Sequence, residues 1–370
     1  MKPNVIFILL DGARWDRLQT SNEFNELTKN GTLLTNVTSA MPYTFGAMNV
    51  VFTGMYGKEN GVDGYYKVFR LKDSVEYLPE ILKEHGYYTS KGTIHEKVLS
   101  DRGFNLNRTY DENEEDPTEI NLKLIQDSFD NANGKPVFSF FQYSRIHTVT
   151  VSEVLKKYEW DDKEFYDLKN ENLEKFDNVF KEAGIHAKTI IDFIEKLDEK
   201  KNTIVIFFTD HGTGVGERYG ERNYGSYTFE ETIRTFYLFL GSKIQKNQKN
   251  DKLLATLSIC PTVLDLCEIN TRTKFQGKSL EPFLNGREKL SSEEYTFSET
   301  GALHGLYPSP EKSNVFCIKT PKFKLIYLET PDEWELYDLD NDPQEKNNII
   351  NTNQEIEKEL KKKLLEYINR

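Results

Sequence analysis

A chain of 370 residues with 24 Phe and 20 Tyr holds enough apolar material for one large α/β domain plus a smaller appendage. A net charge of −12 without any basic stripe argues against nucleic-acid binding, although a bound cation would let such a surface take an anionic substrate. Three sparse cysteines, Cys260, Cys267 and Cys317, argue against a disulfide framework, and no apolar run reaches membrane-span length, so no membrane partner is expected.

The first element is a strand at residues 5–10, preceded only by Lys2-Pro3-Asn4. That leaves no room for a secretory leader and predicts a cytoplasmic protein. A helix follows at 21–30, with Ser21 as its cap, then a loop at 40–43. Thr44 begins a helix that runs through 46–52 and closes at Thr53-Gly54. Residues 74–85 read as a helix stopped by Gly86, 87–90 as a short strand, and the acidic stretch 108–120 as a loop. A buried aromatic strand is expected at 137–143. Residues 150–182 are charged, helical in pieces, and read as a lid or exposed insertion. The amphipathic segment 186–197 leads into a strand at 203–209, followed by a strand at 236–240 and a helix at 253–266. From Ser291 onward, short alternating runs at 315–319, 324–328 and 335–339 suit an antiparallel sheet, and 354–368 is a charged terminal helix.

The expected fold is therefore α/β: a large, mixed, mostly parallel central sheet flanked by helices, over residues 1–290. A smaller C-terminal antiparallel subdomain covers 291–370. The strands at 5–10 and 203–209 are continuous apolar runs, the pattern of strands buried on both faces of a parallel sheet. Each ends in a carboxylate, Asp11 and Asp210, the latter followed by His211. Ligand sites of open α/β sheets lie at such carboxyl ends. Either Asp alone reads as a helix cap; two with an imidazole suit a divalent metal.

In these residues and others the chain resembles a sulfatase-type member of the alkaline phosphatase superfamily, over nearly its whole length. Asp11 matches that family's first metal strand. Thr44 stands nine residues before Thr53-Gly54, the offset of the family's nucleophile. Gly92-Thr-Ile-His95 is similar to the Gly-Lys-Trp-His anion-binding stretch. Thr209-Asp-His-Gly212 with Gly216-Glu217 resembles the second metal strand and its loop. Phe229-Glu-Glu-Thr-Ile-Arg234 resembles the Tyr-Glu-Glu-Gly-Ile-Arg stretch, and Ile259-Cys-Pro-Thr-Val-Leu-Asp-Leu266 a family helix. Gly277-Lys-Ser-Leu280, Glu335-Leu-Tyr-Asp-Leu339 and Asp342-Pro343 match C-terminal signatures.

The departures are specific. Formylglycine sulfatases carry Cys or Ser in a Cys/Ser-x-Pro-x-Arg motif, where this chain reads Thr44-Phe-Gly-Ala-Met48. Threonine cannot give the aldehyde. The usual Asp-Asp pair is Asp11-Gly12, and the Lys of the anion-binding stretch is Thr93. Thr44-Phe45 instead resembles the threonine-nucleophile branches that act on phosphate diesters or transfer phosphoryl groups.

The resemblance implies a metal-dependent hydrolase or phosphotransferase of phosphate esters. Thr44 would be the catalytic nucleophile, and Asp11, Thr44, Asp210 and His211 the metal ligands. At least one divalent ion is expected, Zn²⁺ or Mn²⁺ ahead of Ca²⁺ because an imidazole is a ligand. Metal coordination lowers the pKa of the Thr44 hydroxyl, and a phosphoryl-threonine intermediate follows. His95 is implied in substrate contact, His147 in substrate contact or a second metal, and His304, in Gly301-Ala-Leu-His-Gly305, in a second metal. Tyr143 stands where two-metal relatives carry Asp, so one metal is the expectation. Arg145 is a further candidate for pairing with the substrate. Arg14, Asp16 and Glu217 are expected to tie loops, and His85 and His186 to be ordinary helix residues. The expected partner is a small-molecule or glycan-linked anionic ester. The alternatives are an atypical sulfatase or phosphonate monoester hydrolase, and a catalytically silent binding relative.

Overall fold

The computed structural model describes residues 2–67, 70–148, 159–197 and 202–370. Nine strands form the main sheet: β1 (Asn4–Leu10), β2 (Gly31–Thr38), β3 (Tyr88–Thr93), β4 (Leu106–Thr109), β5 (Val137–Tyr143), β6 (Thr203–Phe208), β7 (Arg234–Leu240), β8 (Gln248–Asn250) and β9 (Leu254–Ala255). Their order is β4-β3-β5-β1-β6-β7-β2-β8, with β9 also on β2. From β4 to β6 every pairing is parallel, and β7 is antiparallel to both β6 and β2. The expected mixed, mostly parallel sheet is present.

The continuous apolar strands are explained by the two layers that cover them. Val5, Phe7 and Leu9 enter one core, while Ile6, Ile8 and Leu10 enter the other. Phe7 meets Phe52, Phe138 and Phe208 edge-on at 5.5–5.9 Å. Phe52 belongs to the Thr44–Thr53 helix, so this contact packs the end of that helix on the middle of β1. The helix ends at Gly54, which adopts the left-handed conformation of a C-terminal stop.

Several expected elements change. The 150–182 segment is helical in pieces where it is described, as Lys163–Asp167 and the first half of Lys169–Leu197, but it is no exposed insertion: the longer helix buries Phe176, Phe180, Ala183, His186, Ile190 and Ile194 on one face. Residues 150–158 lie outside the described residues. The loop expected at 108–120 contains the end of β4 and the start of a helix, Pro117–Asn131. Asp116 caps that helix, and Pro117 sits where no N–H is needed, a start signal that the acidic composition concealed. The helix expected at 253–266 begins only at Ile259, because Leu254 and Ala255 pair with Val37 and Thr38. β2 and β4 carry no recognisable apolar run.

The second sheet is antiparallel, in the order β10 (Thr296–Thr300), β11 (Val315–Lys319), β12 (Phe323–Leu328) and β13 (Glu333–Asp338). One face packs with the Gln354–Ile368 helix through Leu360, Leu364 and Tyr367. A buried ionic network joins this sheet to the main domain. The Lys319 ammonium lies 2.8 Å from Glu230 Oε2, and Lys324 lies 3.0 Å from Glu230 Oε1 and 2.7 Å from Glu345. Burial pushes Lys319 down to about 8 and Glu345 up to about 7. Burial also opposes the charge on Glu230, but Lys319 and Lys324 outweigh it and hold that carboxyl well below its usual range. No helix among the described residues is long and apolar enough to cross a membrane.

Candidate metal centre and active site

Three adjacent parallel strands, β5, β1 and β6, end at one edge of the sheet and deliver the site there. Asp11 follows β1, Asp210 and His211 follow β6, and Gln142 sits at the end of β5 beside Leu9. Asp11, Asp210 and His211 are almost wholly inaccessible, and Thr44 is 8% exposed.

Donor atoms of Asp11, His147 and His211 lie within 4.8 Å of one another. The Thr44 hydroxyl is 3.5 Å from Asp11 Oδ1 and 3.3 Å from His211 Nε2. His211 Nε2 is also 3.7 Å from Asp11 Oδ1 and 3.6 Å from Asp210 Oδ2. The tautomer follows from the other ring nitrogen. His211 Nδ1 lies 2.8 Å from the Gly212 carbonyl, which can only accept, so the proton is on Nδ1 and Nε2 keeps its lone pair.

Each carboxylate has one oxygen anchored by donors. Asp11 Oδ2 accepts from Gln142 Nε2 at 2.6 Å and from the Ser144 hydroxyl at 3.5 Å. Asp210 Oδ1 accepts from the His211 N–H at 3.0 Å and the Gly12 N–H at 3.5 Å. Asp210 Oδ2 is fully buried with no hydrogen-bond partner among the described residues. A buried anionic oxygen facing an imidazole lone pair is costly unless a cation lies between them. The donors of Asp11, His147 and His211 therefore fit a divalent metal, with Thr44 beside them; Asp210, expected as a ligand, is not part of that cluster and borders it through Oδ2, 3.6 Å from His211 Nε2.

Gly12 explains the departure from the Asp-Asp pair. Its backbone is left-handed (φ +74°), and a Cβ there would lie 2.7 Å from Thr213 Oγ1 and 3.3 Å from His147 Cα. The space of a second aspartate is taken by the Arg145–Thr148 turn, which brings in His147 instead. His147 thus joins the first cluster rather than founding a second, and the described residues contain no further cluster of that kind.

The other expected residues lie elsewhere. His95 is exposed beyond β3, where its Nδ1 accepts from the Lys97 N–H at 3.0 Å and caps a short turn. The charge of Arg145 acts on Glu112, whose carboxyl burial pushes up to about 7, and on Asp116. His304 lines a neighbouring cavity. Arg14 pairs with Asp16 at 2.9 Å and Glu217 at 2.6 Å, which makes all three loop ties as expected. Glu217 also accepts from the Val215 N–H at 2.7 Å. His186 is buried in the long helix, and its ring meets Tyr143 at 4.6 Å with the planes tilted by 36°.

Three participants escaped the sequence. Gln142 and Ser144 hold Asp11, and the Tyr224 ring packs 4.3 Å from His211 and 4.7 Å from His147. A lone amide in the aromatic-rich β5 was the available signal for Gln142. Tyr224 had none.

A sulfatase family profile matches residues 3–269, more than half of the chain. The chain belongs to the sulfatase family. A second profile, the N-sulphoglucosamine sulphohydrolase C-terminal region, matches residues 222–370. An N-acetylglucosamine-6-O-sulfatase of Bacteroides thetaiotaomicron is 29% identical over 168 residues, 44% of this chain and 29% of that relative. A Delta 4,5-hexuronate-2-O-sulfatase of the same organism is 29% identical over 178 residues, 47% of this chain and 36% of the relative. The matched stretches thus span about a third of these curated relatives. Among solved structures, a 2-O GAG sulfatase superposes with a TM-score of 0.82 at 19% identity, covering 100% of this chain and 92% of that one. A phosphonate monoester hydrolase from Silicibacter pomeroyi gives 0.79 at 14% identity, covering 99% and 95%. At these identities the structures establish the fold.

Proposed function

We propose that this sulfatase-family chain is a metal-dependent hydrolase that cleaves phosphate esters in preference to sulfate esters, with Thr44 as nucleophile. The observation that carries the reading is the position of the Thr44 hydroxyl, 3.5 Å from Asp11 Oδ1 and 3.3 Å from His211 Nε2, inside the set of donors that a cation would share. When bound, the metal lowers the pKa of the hydroxyl and screens the charge of the substrate anion. Two imidazoles in the donor set favour Zn²⁺ or Mn²⁺ over Ca²⁺.

The chain's own residues account for the rest. Gln142 and Ser144 orient Asp11, and the Gly212 carbonyl orients His211. No side chain caps the first turn of the Thr44–Thr53 helix, so its N–H groups remain for an anion. The Thr44 oxygen, its proton lost to solvent, attacks phosphorus in line; the P–O bond to the leaving oxygen breaks, and that oxygen takes a proton from water and departs as the alcohol. Water then cleaves the phosphoryl-threonine. The helix fixes the geometry of attack, and burial limits competing solvent.

A second reading, an atypical sulfatase, is favoured by the names of the curated relatives, which are sulfatases. The physical objection is the second step. A formylglycine hydrate releases sulfate by collapsing to its aldehyde, with C–O cleavage, whereas a threonine sulfate must be attacked at sulfur. 4-Nitrophenyl phosphate and 4-nitrophenyl sulfate, assayed side by side with Zn²⁺ and Mn²⁺, separate the two readings. The expected result is higher kcat/KM on the phosphate; higher kcat/KM on the sulfate overturns the proposal.

A further inference from the structure

Tyr224 packs on both imidazoles of the cluster and takes no part in the chemistry derived above. Its ring centroid lies 4.3 Å from that of His211 and 4.7 Å from that of His147, with the planes tilted by 33° and 44°. The two imidazoles are 6.0 Å apart, so each meets the tyrosine more closely than it meets the other.

The loop that carries Tyr224 is built to hold it there. Asn223 and Gly225, on either side, both adopt left-handed backbone (φ +70° and +99°), which turns the chain sharply around the tyrosine. Asn223 pairs with Gly214 in an antiparallel bridge, which ties the loop to the segment that follows His211. Glu221 Oε1 braces the loop from inside, accepting from the Ser226 N–H at 3.0 Å and the Tyr227 N–H at 3.1 Å. A Cβ at Gly225 would run into the Tyr65 hydroxyl, an approach that only glycine allows.

A ring in this position could wall a substrate, supply a hydroxyl, or support the imidazoles. As a wall it has too little room: the cavity it lines measures about 30 Å³, the space of one or two waters. The contacts to His211 and His147 are made by the ring itself. His211 is fully buried, whereas His147 is half-buried on the short Arg145–Thr148 turn. Fixing a half-buried imidazole on an incoming ion costs side-chain entropy, and a ring that fixes it beforehand returns that cost as affinity.

We propose that Tyr224 is the positioning residue of the metal centre: its ring holds His147 and His211 where one divalent ion takes both. The hydroxyl has no share in this, and the residue touches no reacting atom. The inference rests on the functional reading above only for the presence of a metal, whichever ester is cleaved.

The test compares Tyr224→Leu with Tyr224→Phe by their affinity for Zn²⁺ and Mn²⁺. Competition with a chromogenic chelator reads Zn²⁺ on the metal-free protein, and electron paramagnetic resonance reads unbound Mn²⁺. Tyr224→Leu should raise both dissociation constants about 10- to 100-fold, the usual effect of losing a group that orients a ligand. Tyr224→Phe, which keeps the ring, should stay within about twofold of the wild type. Unmoved affinity in Tyr224→Leu overturns the proposal. An equal loss in Tyr224→Phe also overturns it, by assigning the work to the hydroxyl. Histidine NMR of the metal-free wild type decides the same point without metal and without a variant of Tyr224. The imidazole lines of His147 and His211, assigned through His147→Gln and His211→Gln, should be sharp and displaced by the tyrosine ring. Lines at the positions of free histidine overturn the inference. If the wild type binds neither ion, the functional reading fails and these lines decide. If it binds an ion but cleaves no phosphate ester, the functional reading fails and the affinities decide.

Discussion

Where β11 and β12 meet the main domain, Glu230 and Glu345 are buried against Lys319 and Lys324 at 2.7–3.0 Å. Where β1 and β6 end, Asp11 and Asp210 are buried against His211, His147 and Thr44. Both regions place two carboxylates out of water, yet only the first brings its own ammonium groups. No lysine or arginine pairs with Asp210 among the described residues, and one of its oxygens has no donor. The first region is therefore complete as folded and acts as a clasp between two sheets. The second offers only imidazoles against its carboxylates, a donor set that fits a divalent cation. Counter-charge separates the two: Lys324 lies 3.0 Å from Glu230 Oε1 and 2.7 Å from Glu345 Oε1, whereas only the His211 imidazole, at 3.6 Å, faces Asp210 Oδ2.

The largest expected effect tests the functional half of that comparison. Thr44→Ala should lower kcat by about 10³-fold or more while the far-ultraviolet circular dichroism stays native. Near-normal turnover in this variant would show that the cluster works without the hydroxyl.

The structural half breaks at Lys324. Lys324→Met leaves Lys319 on Glu230 alone and takes from Glu345 its ammonium partner, which should cost about 3–5 kcal/mol in urea unfolding. Added Zn²⁺ or Mn²⁺ should not restore it, since no imidazole is present there to complete a metal site. Rescue by metal would erase the distinction between the regions.

Metal itself gives the next effect. At about 100 times its dissociation constant, a cation that binds only the folded chain adds about 2.7 kcal/mol to stability. This increment should appear in the wild type and be lost in Asp210→Asn, together with bound metal measured by elemental analysis.

The smallest effect adds a third way of burying a titratable group, which is to keep it neutral. Burial pushes His186 down to about 3 from an ordinary 6.5, with Thr118 Oγ1 at 3.0 Å as its hydrogen-bond partner. The folded chain refuses a proton that the unfolded chain accepts. Stability from this residue is thus intact above pH 6.5 and falls as the pH drops from 6.5 towards 3. Urea unfolding at pH 7 and pH 4.5 should show about 2 kcal/mol less acid loss in His186→Leu than in the wild type.

How much of this the sequence disclosed depended on whether a feature was local. Asp11, Asp210 and His211 stood at the ends of strands whose apolar continuity required a parallel sheet, so their convergence was readable. Thr44 was readable through its distance from Thr53-Gly54. His147 was placed near the site but not in the cluster, because its position depends on the Arg145–Thr148 turn packing over Gly12. The alternation of β11 and β12 identified strands correctly, but nothing in it marked Lys319 and Lys324 as interior. Only the docking of the Glu230–Ile233 turn against that face makes them interior. Long-range packing decides such matters, and a single chain's pattern carries no trace of it.

The Thr44–Thr53 helix has one more property worth following. Met48, Val51 and Phe52 belong to the core beneath the main sheet, whereas Val50 belongs to the core shared with the C-terminal sheet. A segment gripped by two cores has no inexpensive way to open by itself. Its inner amides should exchange with deuterium only when the whole molecule unfolds, at the slowest rate in the protein. The backbone carrying the reactive hydroxyl would then be among the last parts of the chain to loosen on heating, and thermal inactivation should track global melting.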